Sequence, residues 1–182
     1  IMGWLFGWNT RKELADHLLY GNGVKTIKHC FKGNNVWAVQ EYTYPDTDWD
    51  GAPHPKAGQV TRFIGLYLIK GGDTYNVKTG RRNRDGWGYK DMDESAGPCY
   101  YNCPLAYLDM VPDPGGYATE WRQKVREYHS KRTQKLEPGT KIRLYGREYT
   151  VGEKEGRRQY VWDYTVKYTL PQRMMKDVEV VA

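Results

Sequence analysis

"VKTIKHCFKGNNVWAVQEYTY", residues 24–44, alternates apolar and polar positions over 24–32, breaks at Gly33-Asn34-Asn35, and alternates again over 36–44. Strand side chains point to opposite faces in turn, so two alternating runs joined by a Gly/Asn break predict an antiparallel hairpin. Working outward, the same rule finds a third strand, "VTRFIGLYLIK" at 60–70, after a Pro/Asp/Gly loop at 45–58 with no pattern of its own. Upstream, Thr10-Arg11-Lys12-Glu13 is a capping box, Leu14, Leu18 and Leu19 form an apolar stripe, and "YGNG" at 20–23 supplies a stop. A helix over 10–20 is expected.

Beyond the third strand, 71–102 is rich in glycine, charge and aromatics and shows no clear period. Connections longer than about 12–15 residues are uncommon unless functional or disordered, and the aromatics argue against disorder. "CPLAYLDMVP" (103–112) predicts one or two helical turns begun at Pro104. Residues 117–132 then place Tyr117, Trp121, Val125 and Tyr128 at helical spacing, with Arg122, Arg126, Lys131 and Arg132 largely off that stripe. That predicts a helix with a basic outer side. From Pro138 short strands follow: Ile142 and Leu144 inward, a turn at Gly146, Tyr149 and Val151, and an evenly spaced run from Tyr160 to Leu170. The expected fold is α+β: an antiparallel sheet with two helices over 1–135, and a small SH3-like β-barrel segment over 136–182 packed on it.

Composition agrees with small twisted sheets. Of 182 residues 16 are Tyr and 7 are Trp, within a hydrophobic share of only 39%, and such half-polar rings favour partly buried positions. No run approaches the roughly 18 apolar residues of a membrane span, and the first residues lack the basic start of a signal peptide. Three cysteines do not make a complete disulfide framework, so a soluble, cytoplasmic protein without a membrane partner is expected. The net charge of +6 is unevenly placed: residues 1–114 hold 13 Lys and Arg against 13 acids, residues 115–182 hold 15 against 9. Such asymmetry points to an anionic partner for the C-terminal part, nucleic acid first, against a basic face kept for solubility.

Residues 85–104, "DGWGYKDMDESAGPCYYNCP", concentrate the candidate chemistry. Asp91, Asp93 and Glu94 beside Lys90 could divide acid and base roles or hold a divalent cation, although capping and a solvated face are commoner uses of such a run. Cys103 precedes Pro104 at a helix start, where a thiolate nucleophile would be favoured, and Cys99 is the alternative nucleophile. Cys99 and Cys103 with His29 and Cys30 suggest zinc, but His29 and Cys30 point to opposite faces of a strand, so the fourth ligand is missing and no metal or cofactor is expected. Arg81, Arg82 and Arg84 precede Trp87 and Tyr89; guanidinium forks suit phosphates and aromatic faces suit unpaired bases, the structural alternative being a hairpin with a core tryptophan. Arg122 and Arg126 on the second helix, with the cations at 141–158, would extend a phosphate-tracking surface.

"MGWLFGW" (2–8), the capping box, "GNNVWAVQEY" (33–42), "GWGYKDMDESAGPCYYNCPLAYLDMVP" (86–112) and "EWRQKV" (120–125) resemble an uncharacterised family of proteins carried by bacteria, phages and plasmids. The resemblance covers most of the chain and brings no established activity. It implies a mobile-element setting, in which small accessory proteins act on DNA or on host defence. The leading expectation is an accessory protein that contacts nucleic acid or a nucleic-acid enzyme through a basic, aromatic-rich surface. The alternatives are a small enzyme modifying a nucleotide or base at 85–103, and a protein inhibitor of a host defence complex with aromatic anchors.

Overall fold

A computed structural model describes residues 3–21, 23–76 and 81–181, with the side chains of 73–76 and 81–84 outside that description. The chain divides into two compact units, Ile1–Arg122 and Gln123–Ala182. It is mixed α and β, with two antiparallel sheets and few helices.

The first unit holds β1 (Leu5–Trp8), α1 (Arg11–Tyr20), β2 (Val24–Lys32), β3 (Asn35–Thr43), β4 (Val60–Asn76), β5 (Arg81–Asp93) and the short α2 (Leu105–Leu108). Its sheet runs β1-β5-β4-β3-β2. The opening hairpin forms as its sequence indicates, with Lys32 opposite Asn35 and Gly33 at φ 63°, a left-handed turn conformation that glycine adopts without strain. β3 lies between β2 and β4, and five consecutive residues, Val36 to Gln40, are buried. A strand buried on both faces needs cover on both. On one side Leu14, Leu18 and Leu19 of α1 pack with Val36, Ala38, Tyr67, Ile69 and Tyr89. On the other, the Trp37 ring lies 5.8 Å from that of Trp121, and its Nε1 donates to Asn102 Oδ1 at 3.1 Å. Each fully buried aliphatic side chain of this core contributes roughly 1.5–3 kcal/mol of transfer free energy. The capping box of α1 is complete: Thr10 Oγ1 accepts from Glu13 N at 3.1 Å, and Glu13 Oε2 accepts from Thr10 N at 3.3 Å.

The patternless connection expected over 71–102 is instead largely sheet, because β4 continues to Asn76 and β5 begins at Arg81. β5 hides from an apolar/polar count because it alternates glycine with aromatics across Gly86, Trp87, Gly88 and Tyr89. The reason is β1, whose Leu5 pairs with Tyr89, Phe6 with Gly88 and Trp8 with Trp87. A Cβ at Gly88 would sit 2.4 Å from both Leu5 O and Phe6 Cδ1. Gly88→Ala is therefore expected to displace β1 and to lower stability by about 1–3 kcal/mol, the range for forced overpacking. A thermal melt unchanged from wild type would contradict this pairing.

In the second unit β6 (Lys141–Leu144), β7 (Arg147–Val151), β8 (Gln159–Asp163), β9 (Val166–Leu170) and β10 (Glu179–Val180) form a sheet in the order β10-β6-β7-β8-β9. Ile142, Leu144, Val151, Val161 and Leu170 bury their side chains with Leu136, Met175 and Val178. A 3₁₀ turn, Gln172–Asp177, returns the chain so that β10 pairs with β6. Among the described residues β9 and β10 do not pair, so the hydrogen bonding defines an open sheet and no closed barrel. The even run from Tyr160 to Leu170 is not one strand. It folds back at Tyr164, which has φ 50°, and the inward residue of β8 is Val161. α3 (Tyr117–Thr133) contributes residues to both units. Among the described residues, no helix is long and apolar enough to cross a membrane.

Candidate functional site

The stretch 85–103 holds the architecture of the first unit together. Glu94 and Arg122 are 1% and 3% exposed. Arg122 Nε donates to Glu94 Oε2 at 2.7 Å, its terminal nitrogens donate to the carbonyls of Leu108 (3.3 Å), Val111 (2.9 Å) and Pro112 (3.0 Å), and Glu94 Oε1 accepts from Ile64 N at 3.3 Å. One guanidinium thus joins the segment after β5, α2, the Val111-Pro112 turn and α3. Arg122 was expected on the outer side of its helix as a phosphate contact. It is buried instead, because an interior carboxylate and three carbonyls need a cation with a planar fork of donors.

Of the remaining candidates of this stretch, Asp91 and Asp93 line one cleft, and Lys90, Cys99 and Cys103 are not among its residues. Asp93 is exposed and caps the 3₁₀ turn Glu94–Ala96 by accepting from Ala96 N at 3.1 Å. Asp91 is half-buried and shares with Asp93, Tyr67 and Tyr89 a cleft of about 370 Å³. Lys90, between two residues of the opposite orientation, belongs to the other face of the strand. Cys99 is exposed, whereas Cys103 is fully buried. Burial pushes the Cys103 thiol well up, with Cys30 and Glu94 adding to the effect, so it is held protonated, the opposite of what a nucleophile needs. Among the described residues no group of three or more His, Cys, Asp or Glu comes together to hold a metal. Tyr89 is buried in the first core and Trp87 packs half-buried against it, as their facing of α1 requires. The side chains of Arg81, Arg82 and Arg84 lie outside the described residues.

A different surface gathers aromatic and cationic groups. On the outer face of the second sheet the register places Lys141 opposite Thr150, Thr150 opposite Trp162, and Trp162 opposite Lys167. These four side chains therefore form one row across β6, β7, β8 and β9. β7 pairs with β8 only through Thr150 and Val151, so the strands part beyond Thr150 and leave a groove of about 790 Å³. It is lined by Lys141, Arg147, Glu148, Tyr149 and Thr150 of β6 and β7 and by Trp162, Asp163 and Tyr164 of β8 and its turn. Arg147 and Tyr149, paired with the inward Leu144 and Ile142, reach it from the other side of the sheet than Lys141, Thr150 and Trp162. Among the described residues Lys141 and Arg147 form no ion pair, while Glu148 is neutralised by Arg143 at 2.9 Å and Lys167 pairs with Glu155. Lys167 Nζ also sits 3.9 Å from the centre of the Tyr160 ring. Arg126 is exposed on α3 and is not among the groove residues.

Two features of this groove escape sequence reading. Trp162 lies against the bare backbone of Gly152, where a Cβ would come 2.7 Å from its Nε1. Tyr164, fully exposed at the β8–β9 turn, holds a positive φ that a bulky residue seldom adopts. The charge of the region was legible; the depth of the groove depends on where β7 and β8 separate, which no local pattern reports.

The family described as a domain of unknown function (DUF6927) matches residues 112–161, from Pro112 through α3 to Val161 of β8. No curated protein and no solved structure matches the chain. Over the matched residues, which include "EWRQKV" and the β6–β7 wall of the groove, the chain is similar to that uncharacterised domain family.

Proposed function

We propose that the second unit binds nucleic acid on the outer face of its sheet, as part of an accessory protein of a mobile element. The carrying observation is the row Lys141, Thr150, Trp162 and Lys167 beside a groove that also presents Arg147 and Tyr164. Charge supports it: residues 123–182 hold 14 Lys and Arg against 8 acids, whereas residues 1–122 hold 14 of each, so the whole excess of +6 lies on this unit. A field of that sign attracts a polyanion and raises its local concentration. The strand order, with the last strand returning through a 3₁₀ turn to the first, is that of SH3-like small barrels and supports reading the unit as such a docking module. The mobile-element setting rests on the resemblance of the motif stretches. An enzyme at 85–103 has less support, since Glu94 is committed to Arg122 and burial pushes the Cys103 thiol up, which leaves Asp91 and Asp93 as the candidates that share a cleft.

The test is fluorescence anisotropy of labelled 20-residue oligonucleotides, single-stranded and duplex, titrated with the full chain at low salt. Saturable binding of at least one form, weakened by added salt, is the expected result. Absence of binding to both forms would remove the proposal.

A further inference from the structure

We infer that the nucleic acid taken by the groove is single-stranded, with unstacked bases laid on the rings of Trp162 and Tyr164 and the backbone running past Lys141 and Arg147. This inference rests on the nucleic-acid reading above and specifies its ligand. Tyr164 is 100% exposed, with φ 50°, at the tip of the β8–β9 hairpin. Glycine or asparagine would satisfy that backbone at lower cost, and a strained non-glycine residue at a surface calls for a use of its side chain. Tyr145, the other tyrosine with φ 50°, has a structural use: its hydroxyl donates to Asp177 Oδ2 at 2.9 Å. Tyr164 presents its whole ring to solvent at the wall of the groove.

Trp162 is built differently toward the same end. Gly152 leaves the room its indole occupies, and at 38% exposure the ring remains open to the groove side. An indole whose edge lies against the backbone of Gly152 and which is still 38% exposed offers surface on which a base can stack. Bases within a duplex have both faces covered by their neighbours and offer only their edges in the grooves, whereas single strands offer faces to aromatic side chains and tolerate any sequence there. Lys141, in the same row as Trp162, and Arg147, which also lines the groove, supply charge for the phosphates.

The test compares a 12-residue oligothymidylate with an abasic strand of the same length, which keeps the phosphates and lacks the bases. Wild type is expected to bind the thymidylate about tenfold or more tighter than the abasic strand, as stacking of one or two bases implies. Tyr164→Gly, whose backbone suits the turn, is expected to keep the thermal midpoint at or above wild type, to bind the abasic strand unchanged, and to lose about tenfold on thymidylate. Equal wild-type affinity for the two strands, or unchanged thymidylate affinity in Tyr164→Gly, would overturn the stacking inference and leave the nucleic-acid reading standing. Failure of wild type to bind either strand while duplex is still bound would overturn the single-strand inference alone; failure to bind both strands and duplex would overturn both.

Discussion

Arg122→Ala is expected to destabilise the protein by about 3–5 kcal/mol, the cost of leaving a buried charge without its partner. The carboxylate of Glu94 would stay in the interior, 1% exposed, keeping the Ile64 amide as its one donor among the described residues, and the carbonyls of Leu108, Val111 and Pro112 would lose the donation from Arg122. Against a total stability of about 5–15 kcal/mol for an ordinary domain, such a loss brings the first unit near unfolding at ordinary temperature. Arg122→Lys should recover only part of it, since an ammonium carries charge without the planar fork. The double variant Glu94→Leu/Arg122→Met should lie closer to wild type than Arg122→Ala, because it leaves no interior charge unpaired. Urea unfolding monitored by circular dichroism measures all three. A value for Arg122→Ala within about 0.5 kcal/mol of wild type, as for a surface substitution, would contradict the buried pair.

The second large effect concerns binding. Lys141→Glu/Arg147→Glu reverses the two groove cations that have no ion-pair partner among the described residues. Each phosphate neutralised on a single strand contributes about −0.7 to the slope of log K against log salt, so losing two contacts should flatten the slope by about 1.4. Carried from about 1 M down to about 50 mM salt, that difference amounts to a loss of about sixtyfold in affinity at the lower concentration. Both side chains are exposed, so the melting temperature should change little. A variant with the wild-type slope would place the phosphates elsewhere on the molecule.

These expectations reverse the weight that the sequence alone gives to its regions. The opening hairpin and α1 were legible because their signals are local: a two-residue period, a Gly/Asn turn and a capping box each lie within a few residues. β5 was not, since its pattern of glycine and aromatic becomes intelligible only when Phe6 is seen lying across Gly88, more than eighty positions away. Arg122 was misplaced for a similar reason. The helical period sets it beside the apolar stripe, and nothing near it announces Glu94, its partner 28 residues earlier. Alternation places Tyr164 in a strand because a two-residue period does not register a positive φ. The stretches "MGWLFGW" and "GWGYKDMDES" now read as the two sides of one strand pairing, with Leu5 on Tyr89 and Trp8 on Trp87, and "CPLAYLDMVP" and "EWRQKV" as the parts that the Arg122 guanidinium ties together. Packing thereby accounts for Leu5, Trp8, Trp87, Gly88 and Tyr89 on one side and for Glu94 and Arg122 on the other.

Trp49 stands apart from both accounts. It is 98% exposed at the tip of a loop tied by Asp48 N to Ala52 O at 2.7 Å and by the Thr47–Pro53 bridge, and nothing in the structure shows what covers it.

If nucleic acid binds on the second sheet and the 85–103 stretch is scaffold, a bound strand must lie against β8 and its turn. Photocrosslinking of a bromodeoxyuridine single strand to the full chain, followed by mapping of the modified peptide, tests it most directly. Crosslinks are expected at Trp162 or Tyr164, within residues 159–167, and should disappear in Lys141→Glu/Arg147→Glu. Crosslinks confined to residues 85–103 would contradict it.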